Sequence, residues 1–235
     1  MEKGNDMSKK LLVIGAAGDV GQGIVAVAAK RGWQIAAAGR TQAPLETIAA
    51  RHSNVRALVG DVGSPQAATM LVGAAKVALG GLDAVIVSVN APASFRPLFD
   101  NDEDSLVALF RSNIVSHFNA AKAALDALPA DGVLLGMGGG MADWVPPHGT
   151  HQSIVQAGLR NFYRGLAKEY RDRIVRQMQI VSMVNGESKR DVAQDSWLTD
   201  LECGEHACAI VENPAGFKGP VVVLKSRDEV GVPSV

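Results

Sequence analysis

The chain has 235 residues, 47% hydrophobic and 20% charged, which is enough for one large core and too evenly mixed for disorder. A formal net charge of -1, with no run of like charges, gives no electrostatic reason to bind nucleic acid or an acidic membrane surface. Two cysteines, Cys203 and Cys208, are too few for a disulfide framework. No secretory hydrophobic region follows the polar start, and no apolar run approaches the roughly 20 residues that span a bilayer, so a cytoplasmic protein is expected.

Taken in chain order, a flexible leader over 1–9 precedes the apolar run Leu11 to Ile14, which stops at glycine and gives way to helical periodicity. That pattern predicts a buried strand entering a helix. It recurs with Ile35 to Ala38 before a helix over 44–51, Val55 to Val59 before one over 64–79, and Ala84 to Val89 before a long one over 103–128. Val133 to Gly136 then precedes a helix over 151–171, Gln179 to Val184 a short helix near 198–212, and Pro220 to Leu224 closes the series. Seven strands and six helices in alternation imply right-handed crossovers into a parallel sheet shielded on both faces. The expected architecture is a doubly wound, Rossmann-type α/β three-layer sandwich, one domain over 10–235, with its ligand cleft at the carboxyl ends of the strands.

The segment Gly15-Ala16-Ala17-Gly18-Asp19-Val20-Gly21 joins the first strand to the first helix with glycines three apart. Backbone can approach a pyrophosphate there, whose charge the helix N-terminus favours. The second strand ends Gly39-Arg40-Thr41, where an NAD site usually places a carboxylate for the ribose hydroxyls. No Asp or Glu occurs between Trp33 and Thr41. Arg40 can instead meet a 2′-phosphate with charge-assisted hydrogen bonds, so the local chemistry leans toward NADP(H).

With these residues in view, the chain resembles the short-chain dehydrogenase/reductase family over nearly its whole length. Gly15, Gly18 and Gly21 fit the family's extended glycine spacing, with Ala17, Asp19 and Val20 between them; Asp19 stands where the standard pattern has its middle glycine. Asp61-Val62 resembles the adenine-contacting pair, and Asn90-Ala91 the end of an Asn-Asn-Ala-Gly element. Asn113 is similar to the active-site asparagine, and Asn185-Gly186 to the Pro-Gly that passes the nicotinamide. The resemblance implies nicotinamide-dependent hydride transfer on a small organic carbonyl, alcohol or imine. It also implies a homodimer or homotetramer built from the helices near 103–128 and 151–171.

The family's reaction uses a Tyr-x-x-x-Lys pair with a serine about 13 residues upstream: an acid or base, a group that lowers its pKa, and a holder of the substrate oxygen. Here the stretch Ala157 to Phe162 sets a register that puts Gln152 at the tyrosine, Gln156 at the lysine and Gly139 near the serine. An amide can orient a carbonyl but does not titrate usefully. His151, next to the tyrosine position, is the best replacement acid or base, against the plainer reading of a helix-entry residue bonded to backbone. The catalytic candidates are Asn113, Gln152, Gln156 and His151. Asp143 either orients a histidine or caps a turn, and Tyr163 reads as packing or interface. Cys203, His206 and Cys208 supply only three metal-capable groups, so burial is favoured and no metal is expected. Loss of the acid-base pair with the cofactor turn intact leaves a second reading open, a non-catalytic NADP(H) sensor.

Overall fold

The computed structural model describes residues 8–234, so most of the expected leader lies outside the described residues. The first strand, β1 (Lys10–Ile14), forms because Leu11 to Ile14 are apolar at every position and lie against both helical layers. It is followed by α1 (Asp19–Lys30), β2 (Gln34–Gly39), α2 (Gln42–Ala50), β3 (Val55–Val59), α3 (Pro65–Leu79) and β4 (Ala84–Val87). Then come α4 (Glu103–Phe110), α5 (Ser116–Ala127), β5 (Val133–Gly139), α6 (Thr150–Glu169) and β6 (Ile174–Ile180). The chain closes with β7 (Val184–Asn185), β8 (Leu198–Thr199), α7 (Asp200–Glu212) and β9 (Val221–Leu224).

Seven strands make one parallel sheet in the order β3-β2-β1-β4-β5-β6-β9. The sheet grows outward from β1 to β3, and the chain then returns to β4 on the other side of β1. This reversal opens a crevice beyond the carboxyl ends of β1 and β4. Alternate residues feed two cores. Leu11, Val13 and Ile35 pack with α1 and α7 on one face, whereas Leu12, Ile14 and Val85 pack with α3, α5 and α6 on the other. At the α1–α7 crossing a Cβ on Gly23 would fall 1.9 Å from the Asp200 carbonyl oxygen, so the helices touch backbone to backbone.

Several elements differ from the sequence expectation. The sixth strand lies at Ile174–Ile180 and not at 179–184, because Arg176, Gln177 and Gln179 break the apolar run although Gln177 and Gln179 are buried. The long helix expected over 103–128 is interrupted by a π-helical turn at Arg111–Val115, which brings the number of α-helices among the described residues to seven. A two-residue parallel pairing of β7 with β8 was not foreseen. The fifth strand, expected over Val133 to Gly136, runs on through Gly139, and a Cβ at Gly138 would meet the Gln177 side chain at 2.3 Å.

Candidate functional site

The crevice is a cleft of about 580 Å³, floored by Ile14, Ser88 and Val89. Gly15 turns the chain out of β1 with φ +87°, and a Cβ there would lie 2.2 Å from the Ser88 carbonyl oxygen, so only glycine fits. A Cβ at Gly21 would lie 2.2 Å from the Gly15 carbonyl oxygen; its role is to let α1 close onto the turn. Gly18 is the N-cap of α1 and no side chain caps that helix. The first-turn N–H groups thus have no side-chain acceptor, which suits an anion.

Of the thirteen sequence-predicted cofactor positions, Gly15, Ala17, Gly18, Arg40, Thr41, Asp61, Val62, Asn90 and Ala91 line this cleft. Arg40 follows β2 and is exposed at one end. The Asp61 carboxylate accepts from the Val62 N–H at 2.8 Å, which fixes its orientation beside that end. Asp19, Val20, Gly21 and Gly186 do not line the cleft. Asp19 and Gly186 instead touch each other: a Cβ on Gly186 would meet the Asp19 Cβ at 2.3 Å. Sequence reasoning missed Arg111, Ser112 and Ser116 on the opposite wall. They come from the π-helical turn and the start of α5, and nothing in a smooth helical periodicity marks such a turn.

The catalytic candidates lie behind the cleft. The Asn113 side chain accepts from the Ala91 N–H at 3.3 Å and donates to the Leu109 carbonyl at 2.8 Å. Gln156 accepts from the Gly139 N–H at 2.8 Å and donates to the Asn90 side-chain oxygen at 3.2 Å. Asn90-Ala91 is therefore held from both sides by side-chain amides. Gln152 and His151 are both buried on the first turn of α6. The Nε2 of His151 lies 2.9 Å from the Ser94 carbonyl oxygen, which makes it the donor, while its Nδ1 and the Gln152 Nε2 are buried without a partner among the described residues.

Asp143 does not bond to His151: it pairs with Arg160 and accepts from Gln179 at 2.6 Å, contacts that hold its carboxyl below the ordinary range. Tyr163 is packing. It is fully buried, lies across Gly136, and donates to His117 Nδ1 at 2.8 Å. The same imidazole donates from Nε2 to the Val89 carbonyl at 2.9 Å, which ties the strand end ahead of Asn90 into the core. Burial pushes His117 down to about 4, so it is neutral near pH 7, and pushes Tyr163 up. Cys203 and Cys208 are buried free thiols pushed up to about 12, chiefly by desolvation. Among the described residues no group of three or more His, Cys, Asp or Glu is arranged to hold a metal.

A doubly wound parallel sheet with a glycine turn at its switch point defines a Rossmann-type fold. The family model for short chain dehydrogenases matches residues 9–196, and the chain belongs to that family. Among solved structures it is similar to a short-chain dehydrogenase/reductase from Serratia marcescens, with 19% identity over 93% of this chain and 96% of that one and a TM-score of 0.82. It is also similar to an alcohol dehydrogenase from the archaeon Thermococcus sibiricus complexed with 5-hydroxy-NADP, with 21% identity, coverage of 93% and 97%, and a TM-score of 0.79. A third is an NADH-dependent reductase responsible for alginate metabolism, with 16% identity, coverage of 93% and 96%, and a TM-score of 0.78. No curated protein matches the sequence significantly.

Proposed function

We propose that the protein binds NADP(H) in the switch-point cleft and acts as an oxidoreductase of atypical site chemistry on a small carbonyl, alcohol or imine. The observation that carries the cofactor reading is Arg40, exposed at the cleft's end directly after β2, with no carboxylate between Trp33 and Thr41. Its planar guanidinium suits a 2′-phosphate, while Asp61-Val62 suits the adenine and the uncapped start of α1 the diphosphate. Bound nicotinamide would supply the hydride. The chain's part is orientation: Asn113 and Gln156 hold Asn90-Ala91, and the Gln152 Nε2, buried and without a partner among the described residues, would donate to a substrate oxygen only once the start of α6 opens toward the cleft. His151, with Nδ1 free of protein partners, is the candidate proton carrier.

Neither tyrosine of the chain is followed by lysine four residues on: Ala167 follows Tyr163 and Ile174 follows Tyr170. A second reading, a catalytically silent NADP(H)-binding regulator, is favoured by Gln156, whose amide is already committed to Asn90 and Gly139. Fluorescence titration with NADPH and NADH tests the cofactor, with tighter NADPH binding that Arg40→Ala abolishes as the expected result. A carbonyl and imine panel then separates enzyme from regulator, since silence across it with cofactor bound favours the regulator.

We also propose a homodimer or homotetramer, supported by the exposed apolar Phe118 on α5 and Tyr170 just past the end of α6, which border one groove. A monomer in light scattering would contradict it. Two buried free thiols are consistent with the reducing cytoplasm as its compartment. Among the described residues no helix is long and apolar enough to cross a membrane.

A further inference from the structure

Beside the cleft, where Gly15, Ala17 and Gly18 line it, the start of α1 is joined to the loop after β7. Asp19, the first residue of α1, accepts from the Ser188 N–H at 3.0 Å through one carboxylate oxygen and from the Ser188 hydroxyl through the other. Gly186 lies directly on the Asp19 side chain, with no room for a Cβ. The loop is anchored on both sides of this contact. β7 pairs with β8, and Thr199 closes a capping box with Glu202 at the start of α7. Asp19 therefore fastens the middle of a segment whose ends are already fixed.

The charges at this contact run against an anionic ligand. Asp200 also lies close to Asp19, and Arg190 is the nearby cation; desolvation and then the Asp19 charge raise the Asp200 carboxyl. A carboxylate on the first turn of α1 takes up part of the helix-end potential that a diphosphate would use, and it repels a second anion placed beside it.

We propose that Asp19 and Ser188 form an internal clasp that competes with the dinucleotide and sets its affinity: the pair must part before the diphosphate and nicotinamide half can seat. The proposal rests on the NADP(H) reading of the cleft. The adenosine half is unaffected, because Arg40, Asp61 and Val62 line the open part. Ligands that stop at the 5′-phosphate should feel the clasp less than whole NADPH.

The test is a fluorescence or calorimetric titration of the wild type, Asp19→Asn and Ser188→Ala with NADPH and with adenosine 2′,5′-bisphosphate. Thermal melts establish that each variant is folded. Each variant should bind NADPH about tenfold more tightly, from removal of one like charge or of the clasp's partner, with a smaller gain for the bisphosphate. In the absence of ligand, trypsin should also nick after Lys189 and Arg190 faster in both variants, because the loop's central tether is gone. Wild type and variants that bind NADPH equally, with equal nicking, would overturn the clasp and leave the cofactor reading standing. If neither wild type nor variants bind NADPH, the cofactor reading falls and the clasp falls with it. Binding only by the variants would support both.

Discussion

The buried His117 makes a prediction whose size follows from its surroundings. Both ring nitrogens are engaged in the neutral form, Nε2 as donor to Val89 and Nδ1 as acceptor from Tyr163. Protonation would put a second proton where Tyr163 already donates, in a fully buried site. Burial therefore holds the folded-state value at about 4 against 6.5 for the free side chain. The folded value is depressed, so the unfolded chain binds the extra proton first as pH falls. The site's contribution is fully present above pH 6.5 and is lost as pH falls toward 4. The shift corresponds to a loss on the order of 3 kcal/mol, about 2 of it by roughly pH 5. Chemical denaturation of the wild type and of His117→Gln at pH 7 and pH 5 isolates this term, because every other titrating group cancels in the difference. The variant should be destabilised at pH 7 by about 1–3 kcal/mol for the disrupted pair. Most of that deficit should disappear at pH 5. A deficit of the same size at both pH values would refute the assignment of His117 as a buried neutral base.

Three further outcomes follow from packing. Gly136→Ala would put its Cβ 2.0 Å from the Tyr163 ring carbon Cζ, in a stack of β5 on α6 with no room to yield, and should lower stability by about 1–3 kcal/mol or more in urea unfolding. Gly73→Ala, exposed in mid α3 with nothing near the added carbon, should instead raise stability by about 0.5–1 kcal/mol; a loss would contradict the helix assignment. Cys203 and Cys208, buried and pushed up to about 12, should resist an aromatic disulfide reagent at pH 8 in the native protein and react fully in denaturant. Rapid native labelling of either would show that α7 opens.

The parts of the fold that could be read from the chain were those where burial on both sides of the sheet demands an unbroken apolar run. Leu11 to Ile14 and Ala84 to Val87 are such runs, and both are strands. The reading failed where a side chain's tertiary partner outweighed its own polarity. Gln179 sits in β6 because Asp143 receives its amide, and Arg176 because its guanidinium reaches the Pro214 carbonyl, and neither partner is near in sequence. The π-helical turn at Arg111–Val115 was invisible for a related reason: it adds a residue to one turn without changing composition. At the site, the glycine turn and the end of β2 named Gly15, Ala17, Gly18, Arg40 and Thr41 because those positions obey local backbone rules, while Asp61, Val62, Asn90 and Ala91 came from the family resemblance. The facing wall, the Asp19–Ser188 contact across 169 positions and the His117–Tyr163 pair obey only the fold.

The two halves of the site therefore differ in kind. The end of the cleft proposed to hold the adenosine is open, with an exposed arginine and a carboxylate already oriented by backbone. The end proposed to hold the nicotinamide is crowded with amides: Asn113 accepts from the Ala91 N–H, Gln156 donates to the Asn90 side chain and accepts from the Gly139 N–H, and Asp19 closes on Ser188. Amides hold geometry without storing or releasing a proton in the working pH range. On the proposed reading, a proton for this half would come from the solvent, from the substrate, or from His151, whose Nδ1 is buried without a partner among the described residues. If His151 is that source, His151→Gln should abolish turnover of unactivated carbonyls while sparing acceptors that are already protonated, such as iminium ions, with NADPH affinity unchanged. Equal loss on both substrate types, or loss of cofactor binding, would instead make His151 a structural tie between α6 and Ser94.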